Sequence, residues 1–146
     1  MPFHDLYGGV LMKIEKGSGW LRIELSGEID LAWFESHGAA VSEALQDNPA
    51  LVMVDLEHVR FMDSTGLSLL VQAYRQCQPA SGEVCVIHPQ PFVARTLGIA
   101  GLDQIVTVVN NCHEVREIYS RLGQLDGSDS SAERRSPATD GAIACR

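Results

Sequence analysis

The sequence lacks any apolar run close to the ~20 residues that a membrane-spanning helix needs. Its first residues, "MPFHDLYGGVLMK", also lack a basic segment followed by a long apolar stretch, so we expect no signal peptide. From these two absences we predict a protein that is not inserted into a membrane and that works in the cytoplasm.

Cysteine pairs with the spacing of redox or zinc sites are also missing. The four cysteines, Cys77, Cys85, Cys112 and Cys145, form no Cys-x-x-Cys motif. Cys85 and His88 lie three residues apart on a predicted strand, so their side chains point to opposite faces and suit a metal ion poorly. We therefore expect reduced thiols, no bound metal and no cofactor.

Several signatures of catalysis are absent as well. The sequence contains no GxSxG, GxxxxGKS/T or HExxH motif, which are typical of α/β-hydrolases, P-loop proteins and zinc proteases. We therefore predict that the protein is not an enzyme. A small enzyme or nucleotide-binding protein remains an alternative, because the edge of an α/β sheet can bind nucleotides.

Basic residues are scarce in this sequence. The chain has 11 Lys and Arg against 19 Asp and Glu, which gives a formal net charge of -8. A surface this acidic disfavours direct binding to nucleic acids or to anionic membranes, because both attract basic proteins. It suits protein partners that have basic surfaces.

The strands are indicated by apolar patterns. The 146 residues, 45% of them hydrophobic, suffice for the core of one domain. The segment "LMKIEKGSGWLRIELSG" predicts two strands joined by a Gly-Ser-Gly turn, in which Leu21, Ile23 and Leu25 alternate with polar residues. The apolar runs "LVMVDL", "VCVI" and "IVTVV" predict three further buried strands.

Helices are expected between and after these strands. Asp30 is a candidate N-cap for a helix that runs through Leu45. A short helix is expected to follow Pro89 and Pro91. Asn111 with Glu114 forms a capping-box-like start for the last helix. The expected inward-facing residues are Phe34, Gly38, Val41 and Leu45 in the first helix, Val93, Leu97 and Ala100 in the short helix, and Val115, Ile118, Tyr119 and Leu122 in the last.

The predicted order of elements is β-β-α-β-α-β-α-β-α. Alternation of strands and helices implies parallel pairing after the opening hairpin. We therefore predict a single α/β domain over residues 1–124, with a mixed sheet packed against about four helices. Residues 125–146 are poor in large apolar side chains and rich in Ser, Gly and charged residues, which predicts a disordered tail.

The segment "FMDSTGLSLLVQAYRQ", residues 61–76, places hydroxyl side chains at a helix start. Asp63 or Ser64 can cap that helix. Its expected core-facing positions are Leu67, Leu70, Val71 and Tyr74. In one interpretation the hydroxyl residues only support the cap. In the other, Thr65 lies in the first turn at the carboxyl edge of the sheet, where functional sites usually form.

A phosphoryl group on Thr65 would meet free backbone N–H groups and the positive end of the helix dipole. It is therefore not expected to unfold its own helix. Its effect would fall on a docked partner, through about two added negative charges and new bulk. Asp63 adjoins Thr65 in sequence and Asp30 is expected to approach it from a neighbouring strand, so both acids would strengthen the repulsion of an acidic partner.

Three stretches of the sequence resemble the STAS domain of bacterial anti-sigma factor antagonists. They are "LSGEID", "LVMVDLEHVRFMDSTGLSLLVQAYRQ" and "PFVARTLGIAGLDQIVTV". The resemblance covers most of residues 10–122, in the order and spacing of the family. It implies a single STAS domain with a mixed sheet and helices, and it leaves the C-terminal tail outside.

The resemblance also implies a function in partner switching. In that family the unphosphorylated antagonist binds an anti-sigma factor that is a serine/threonine kinase, and a sigma factor is thereby freed for transcription. The kinase phosphorylates the antagonist, the pair separates, and a PP2C-type phosphatase resets it. An alternative within the same fold is a STAS subunit of a lipid or anion transporter, or a signalling scaffold.

The resemblance assigns the site residues position by position. The family's phosphoacceptor, the hydroxyl residue directly before the glycine, is Thr65 here, with Ser64 as the runner-up. Asp63 and Gly66 complete the block, and Asp30 of "GEID" matches an acid that the family places near the acceptor. Many antagonists carry Ser at the acceptor position, and the extra methyl group of Thr is expected to slow a kinase that prefers Ser.

Two further residues of the first helix have alternative roles. His37 lies near the apolar face of that helix, where we expect a packed histidine and not a ligand. Trp33 is expected to pack in the core or at its rim. Because Trp33 lies close to Asp30 in sequence, a contribution of its ring to a partner surface is the alternative.

Overall fold

A computed structural model of the protein describes residues 3–7 and 10–126. These residues form one six-stranded β-sheet and four α-helices. The strands are β1 (Phe3–Tyr7), β2 (Val10–Lys16), β3 (Trp20–Ile29), β4 (Leu51–Met62), β5 (Glu83–Ile87) and β6 (Thr107–Val109). The helices are α1 (Leu31–Ala44), α2 (Ser64–Cys77), α3 (Pro91–Ile99) and α4 (Cys112–Asp126). Of the predicted tail, residues 127–146 lie outside the described residues.

The strands lie in the sheet in the order of the chain, from β1 to β6. β2 pairs antiparallel with β1 and with β3, and all pairs from β3 to β6 are parallel. A helix joins the two strands of each parallel pair, because parallel strands need a crossover connection. The predicted mixed sheet, with an antiparallel start, parallel strands and four helices, is confirmed.

Strand β1 is an addition that the sequence pattern does not indicate. Its five residues pair with β2 along their whole length, from Phe3 opposite Ile14 to Tyr7 opposite Val10. An edge strand is held largely by main-chain hydrogen bonds to a single neighbour. It can therefore form without the clear apolar alternation on which strand prediction depends.

The main hydrophobic core lies between the sheet and the helices α1, α2 and α3. Alternate residues of β3 and β4 face these helices, because side chains alternate between the two faces of a strand. The fully buried members include Leu21, Ile23 and Leu25 of β3, Val52, Val54 and Leu56 of β4, Val41 of α1, Leu69 and Leu70 of α2, and Val93 and Leu97 of α3. Burial of these aliphatic side chains supplies a large part of the hydrophobic stabilisation.

Helix α4 covers part of the opposite face of the sheet. The core there consists of Trp20, Leu51, Met53, Cys85, Ile87 and Val109 from the strands, and Val115, Ile118 and Leu122 from α4. The predicted inner face of α4 is confirmed, since its three aliphatic members are buried and Tyr119 packs against the same cluster. Tyr119 Oη also donates to the carbonyl oxygen of Ser18 at 3.1 Å, which ties α4 to the turn between β2 and β3.

The helix starts follow the predicted caps. α1 begins after Asp30 and α3 begins at Pro91. At the start of α4, Asn111 Oδ1 accepts from the N–H of Glu114 at 3.0 Å, and Glu114 Oε1 accepts from the N–H of Asn110 at 3.3 Å. The expected capping-box-like start of α4 is therefore confirmed, with the glutamate bonding one residue further back than usual.

The buried face of α2 agrees with the predicted stripe in part. Leu70 is buried as predicted, and Leu67, Val71 and Tyr74 are half-buried and pack against the same core. The other buried residues of the helix are Gly66, Leu69, Ala73 and Cys77. The centre of the buried face is therefore shifted by about one residue from the predicted stripe, and it includes the small residues Gly66 and Ala73. In α3 the predicted inward position of Ala100 is wrong, because the helix has ended and the chain turns away at Gly101 with φ 76°.

Helix α1 packs through an aromatic pair. Trp33 is only 3% exposed, and its ring stacks on the ring of His37 with centroids 5.2 Å apart. The packed role expected for His37 is confirmed, and so is the core position of Trp33. The alternative that Trp33 contributes to a partner surface is wrong, because the ring is buried. Phe34, by contrast, is half-buried.

Strand β4 is longer than the predicted strand "LVMVDL". It runs to Met62, and beyond Asp55 it pairs with β3 alone. Its pairing with β3 contains two β-bulges, one between Asp55 and His58 and one between Val59 and Phe61. A bulge adds a residue to one strand and interrupts the alternation of apolar and polar side chains, which explains why the apolar pattern stops halfway along the strand.

Cys77 and Cys85 are buried free thiols in the cores on opposite faces of the sheet. Desolvation by burial raises the pKa of each thiol to about 12. Neither thiol therefore forms the nucleophilic thiolate near neutral pH.

We expect Cys77 and Cys85 to resist alkylation by iodoacetamide in the folded protein at about pH 8, and to react after unfolding. Since the unfolded chain releases these protons at lower pH, the free energy of unfolding should fall as the pH rises from about 9 toward about 12. Peptide mass spectrometry measures the alkylation. Equal labelling of the folded and unfolded chains would contradict the burial of these thiols.

Gly66 marks the point where α2 comes closest to the strand ends. A Cβ atom there would lie 2.5 Å from Met62 Cγ and 3.2 Å from the carbonyl oxygen of Ile29. In a close-packed interior, such distances force the helix or the strands to shift. We expect Gly66→Ala to lower the free energy of unfolding by about 1–3 kcal/mol, the usual cost of overpacking.

Gly123→Ala is the matched control for that substitution. Gly123 lies in α4, and a Cβ atom there would have no neighbour within 4 Å. The change should raise the free energy of unfolding by up to about 1 kcal/mol, because alanine favours the helix. Urea unfolding measures both effects. A Gly66→Ala protein as stable as the wild type would show that α2 moves away from the strands at no cost.

Candidate functional site

The functional site expected from the sequence lies at the carboxyl ends of β3 and β4. Ile29 and Met62, the last residues of these strands, are paired, and the N–H of Asp63 donates to the carbonyl oxygen of Ile29 at 3.3 Å. Asp30 and Asp63 come directly after this pair. The two acids therefore leave neighbouring parallel strands at the same level of the sheet.

Each of these two acids caps the helix that follows it. At the start of α1, Asp30 Oδ1 accepts from the N–H of Trp33 at 3.0 Å. At the start of α2, Asp63 Oδ1 accepts from the N–H of Thr65 at 2.9 Å. Asp63 and Ser64 were alternative caps for α2, and Asp63 is the cap. A carboxylate in this position satisfies a free N–H group and interacts favourably with the helix dipole.

Ser64 and Thr65 are the first two residues of α2. Ser64 is exposed and Thr65 is half-buried. The carbonyl oxygen of Ser64 accepts a hydrogen bond from Ser68 Oγ, one turn further along the helix, at 2.9 Å. Both hydroxyl residues thus lie in the first turn, at the edge of the sheet.

The beginnings of α1 and α2 are neighbours, so their electrostatic effects add. Each helix start has free N–H groups and carries roughly half a positive elementary charge. Apart from the caps, the first turn of neither helix contains an acidic residue. A further anion near Thr65 would therefore meet the positive ends of two helices together with the carboxylates of Asp30 and Asp63.

Gly66 allows α2 to start directly against the strand ends. It is buried, and any side chain there would contact Met62 and Ile29. The structure therefore brings all members of the predicted site to one edge of the sheet. They are Asp30, Asp63, Ser64, Thr65 and Gly66.

Large apolar side chains around this edge are exposed, which sequence reasoning missed. Leu31 at the start of α1 is 57% exposed, Phe61 of β4 is 40% exposed and Phe92 of α3 is 50% exposed. The rings of Phe61 and Phe92 stack with centroids 6.2 Å apart. We call these three side chains the apolar rim. Exposed apolar groups beside polar residues are typical of interaction surfaces. No local pattern in the sequence distinguishes these three side chains from residues of the core.

A groove of about 510 Å³ extends from Ser64 along the outer side of α2. Its walls include Leu67, Val71 and Arg75 of α2, and Leu102 after α3. The groove explains why Leu67 and Val71, which were predicted to face the core, are only half-buried. It also joins the predicted site to a longer surface that combines apolar and polar side chains.

Within residues 3–7 and 10–126, no group of three or more His, Cys, Asp or Glu side chains is placed to hold a metal ion. Across the same part of the chain, every helix is too short or too polar to cross a lipid bilayer.

Comparison with known proteins identifies the family to which this chain belongs. The family model of the STAS domain matches residues 12–115. An anti-sigma F factor antagonist from Paenibacillus polymyxa is 30% identical over 101 residues, which make up 68% of this chain and 86% of that protein. The family of this relative is regulatory and not enzymatic.

Solved structures show the same fold. The anti-sigma factor antagonist SpoIIAA in its unphosphorylated form has a TM-score of 0.64 at 22% identity, over 74% of this chain and 96% of that one. The Bacillus cell fate determinant SpoIIAA in the phosphorylated form has a TM-score of 0.54 at 23% identity, over 68% of this chain and 91% of that one. The protein therefore belongs to the STAS domain family, and its relatives include anti-sigma factor antagonists.

Proposed function

We propose that this protein is an anti-sigma factor antagonist and that phosphorylation of Thr65 switches it off. The observation that carries the proposal is the position of Thr65 in the first turn of α2, beside the start of α1 at the edge of the sheet. Two similarities support it: the relative from P. polymyxa is an anti-sigma F factor antagonist, and SpoIIAA has unphosphorylated and phosphorylated forms.

The first turn of α2 can accept a phosphoryl group without loss of the fold. The helix start offers free N–H groups and a positive dipole end, and the start of α1 adds a second. The core-facing residues of α2 begin at Gly66, while Thr65 itself is half-buried at the surface. Phosphorylation is therefore expected to leave the packing of α2 in place.

The phosphoryl group acts instead on the bound partner. It adds about two negative charges next to the carboxylates of Asp30 and Asp63. A partner that covers the apolar rim would take these charges out of water. Burial of an unpaired charge is strongly unfavourable, so the phosphorylated protein and its partner separate.

In this proposal the partner is an anti-sigma factor with serine/threonine kinase activity, and its capture frees a sigma factor for transcription. The kinase transfers the γ-phosphoryl group of ATP to Thr65 Oγ1, the hydroxyl proton is released, and ADP is the product. A PP2C-type phosphatase then hydrolyses the phosphate ester with water. The protein works in the cytoplasm and needs no direct contact with nucleic acid.

The choice between the two hydroxyl residues rests on the backbone and on the family pattern. Ser64 is the more exposed of the two, so accessibility alone would favour it. The N–H of Thr65, however, is bonded to Asp63, which fixes the backbone at that residue. Thr65 also directly precedes Gly66, as the acceptor does in the family. We therefore assign the phosphate to Thr65.

The first test is phosphotransfer. The partner kinase is captured on the wild-type protein from a native cell extract, purified, and incubated with ATP. We expect one phosphoryl group per chain, located on Thr65 by peptide mass spectrometry. Thr65→Ala should abolish the transfer, and Thr65→Ser should retain it. Ser64→Ala is the matched control and should also be phosphorylated. Transfer to Thr65→Ala at the wild-type rate would refute the assignment.

The second test concerns affinity. Thr65→Asp should weaken binding to the captured kinase at least about tenfold, or about 1.4 kcal/mol, because it adds a charge to the contact surface. Thr65→Asn has nearly the same shape without the charge and should bind more tightly than Thr65→Asp. Titration calorimetry measures both affinities. Equal affinities would rule out charge repulsion. Urea unfolding should show that both variants stay within about 0.5 kcal/mol of wild-type stability.

A further inference from the structure

The path of β4 toward the predicted phosphorylation site is irregular. From the pair Glu24–Asp55 to the pair Ile29–Met62, β3 advances five residues, 24 to 29, while β4 advances seven, 55 to 62. The two β-bulges of β4 take up the difference. The second half of β4 is thus held in a register that regular pairing would not produce.

The bulges keep the apolar residues of β4 in the core. Val54, Leu56, Val59 and Met62 are all buried, although their spacing is two, three and three residues. A regular strand alternates strictly between its faces. Without the bulges, β4 would place His58 and Arg60 on the face that packs in the core.

The bulges also decide what lies beside Asp30. Regular pairing from Glu24–Asp55 onward would place Arg60 opposite Ile29. Asp63 would then lie two residues beyond the level of Asp30. With both bulges present, Asp63 follows the last strand pair directly, as Asp30 does.

The first bulge is held by side chains. The N–H of Glu57 donates to Asp55 Oδ1 at 3.0 Å, and the carbonyl oxygen of Glu57 accepts from Gln90 Nε2 at 2.5 Å. Gln90 is the residue directly before α3. The extra residue of a bulge is left unpaired in the ladder. These two contacts replace the missing ladder bonds.

Asp55 is held in turn by Arg22. Arg22 Nη2 lies 2.7 Å from Asp55 Oδ2, and the two residues are 5% and 7% exposed. The guanidinium group also lies 3.5 Å from Glu24 and 3.6 Å from Glu15. A buried ion pair is weak evidence for stability, because desolvation offsets its attraction. The best-supported role of a buried ion pair is to select one pairing register among several.

We infer that Arg22 and Asp55 are positioning residues for the phosphorylation site. The carboxylate of Asp55, oriented by Arg22, fixes the first bulge through Glu57, and this bulge supplies one of the two extra residues of β4 that put Asp63 beside Asp30. Both side chains project from the face of the sheet opposite to α2, so they act through the backbone of β4. The consequence for phosphotransfer rests on the proposed function, whereas the register can be measured without a kinase.

The test compares three variants of the full chain. Asp55→Ala removes the acceptor of the Glu57 N–H, and Asp55→Asn keeps an acceptor oxygen there. Val115→Ala is the matched control, because it removes buried side-chain volume from α4 and leaves the bulges intact. NMR amide exchange is measured at Glu57 and at Asp63, whose N–H groups are bonded to Asp55 and to Ile29. Phosphotransfer is measured as kcat/KM.

Asp55→Ala should lose exchange protection at Glu57 and Asp63 and fall about tenfold or more in kcat/KM. Asp55→Asn and Val115→Ala should keep the protection of Asp63 and most of the phosphotransfer. If Asp55→Ala keeps the protection of Asp63 and is phosphorylated as fast as Val115→Ala, the ion pair serves stability alone and the inference is wrong.

If Asp55→Ala does not fold, Arg22→Met takes its place. Reduced protection of Glu57 and Asp63 would then support the inference, and wild-type protection of both would overturn it. If no kinase phosphorylates wild-type Thr65, the proposed function fails, while the amide measurements still decide whether Arg22 and Asp55 set the register.

Discussion

The pairing of Ile29 with Met62 at the ends of β3 and β4 is the constraint on which the rest of the site depends. It brings Asp30 and Asp63 out of the sheet at one level, and each acid caps a helix there. Helices α1 and α2 therefore start side by side and pack over the same core. Gly66 completes the arrangement, because any larger residue would push α2 away from both strands.

At this edge, the groups that hold the fold differ from the exposed side chains that the proposed partner would contact. The cap of α2 uses the main-chain N–H of Thr65, so the side-chain hydroxyl of that residue is free to be modified without breaking the cap. The apolar rim lies outside the two hydrophobic cores, and covering it leaves the packing of the domain unchanged. In the proposed function, a phosphoryl group on Thr65 would meet free N–H groups within the protein and a partner surface from which water is excluded. The fold would then tolerate the phosphoryl group, whereas the complex with the partner would separate.

Much of the fold could be predicted because its signals are local. Alternating residues indicate β2 and β3, apolar runs indicate the parallel strands, and Asp30 and Asn111 indicate helix starts. The features of the fold that the sequence did not predict depend on residues far apart in the chain. β1 is defined by its pairing with β2, and the second half of β4 by bulges against β3. The block around Thr65 was placed correctly at a helix start, but the exposure of Leu31 and Phe61 follows from tertiary packing, which no local pattern encodes.

The Asp-Ser-Thr-Gly block is by itself only a helix cap, and its setting comes from β4. In a bulge-free register, Asp63 would still cap α2, since that bond spans two residues. The block would, however, emerge two residues, or roughly 7 Å, beyond the level of Asp30. Neither the carboxylate of Asp30 nor the start of α1 would then adjoin Thr65. The buried pair of Arg22 and Asp55, whose desolvation is costly, is therefore better explained by where it holds Thr65 than by the stability it adds.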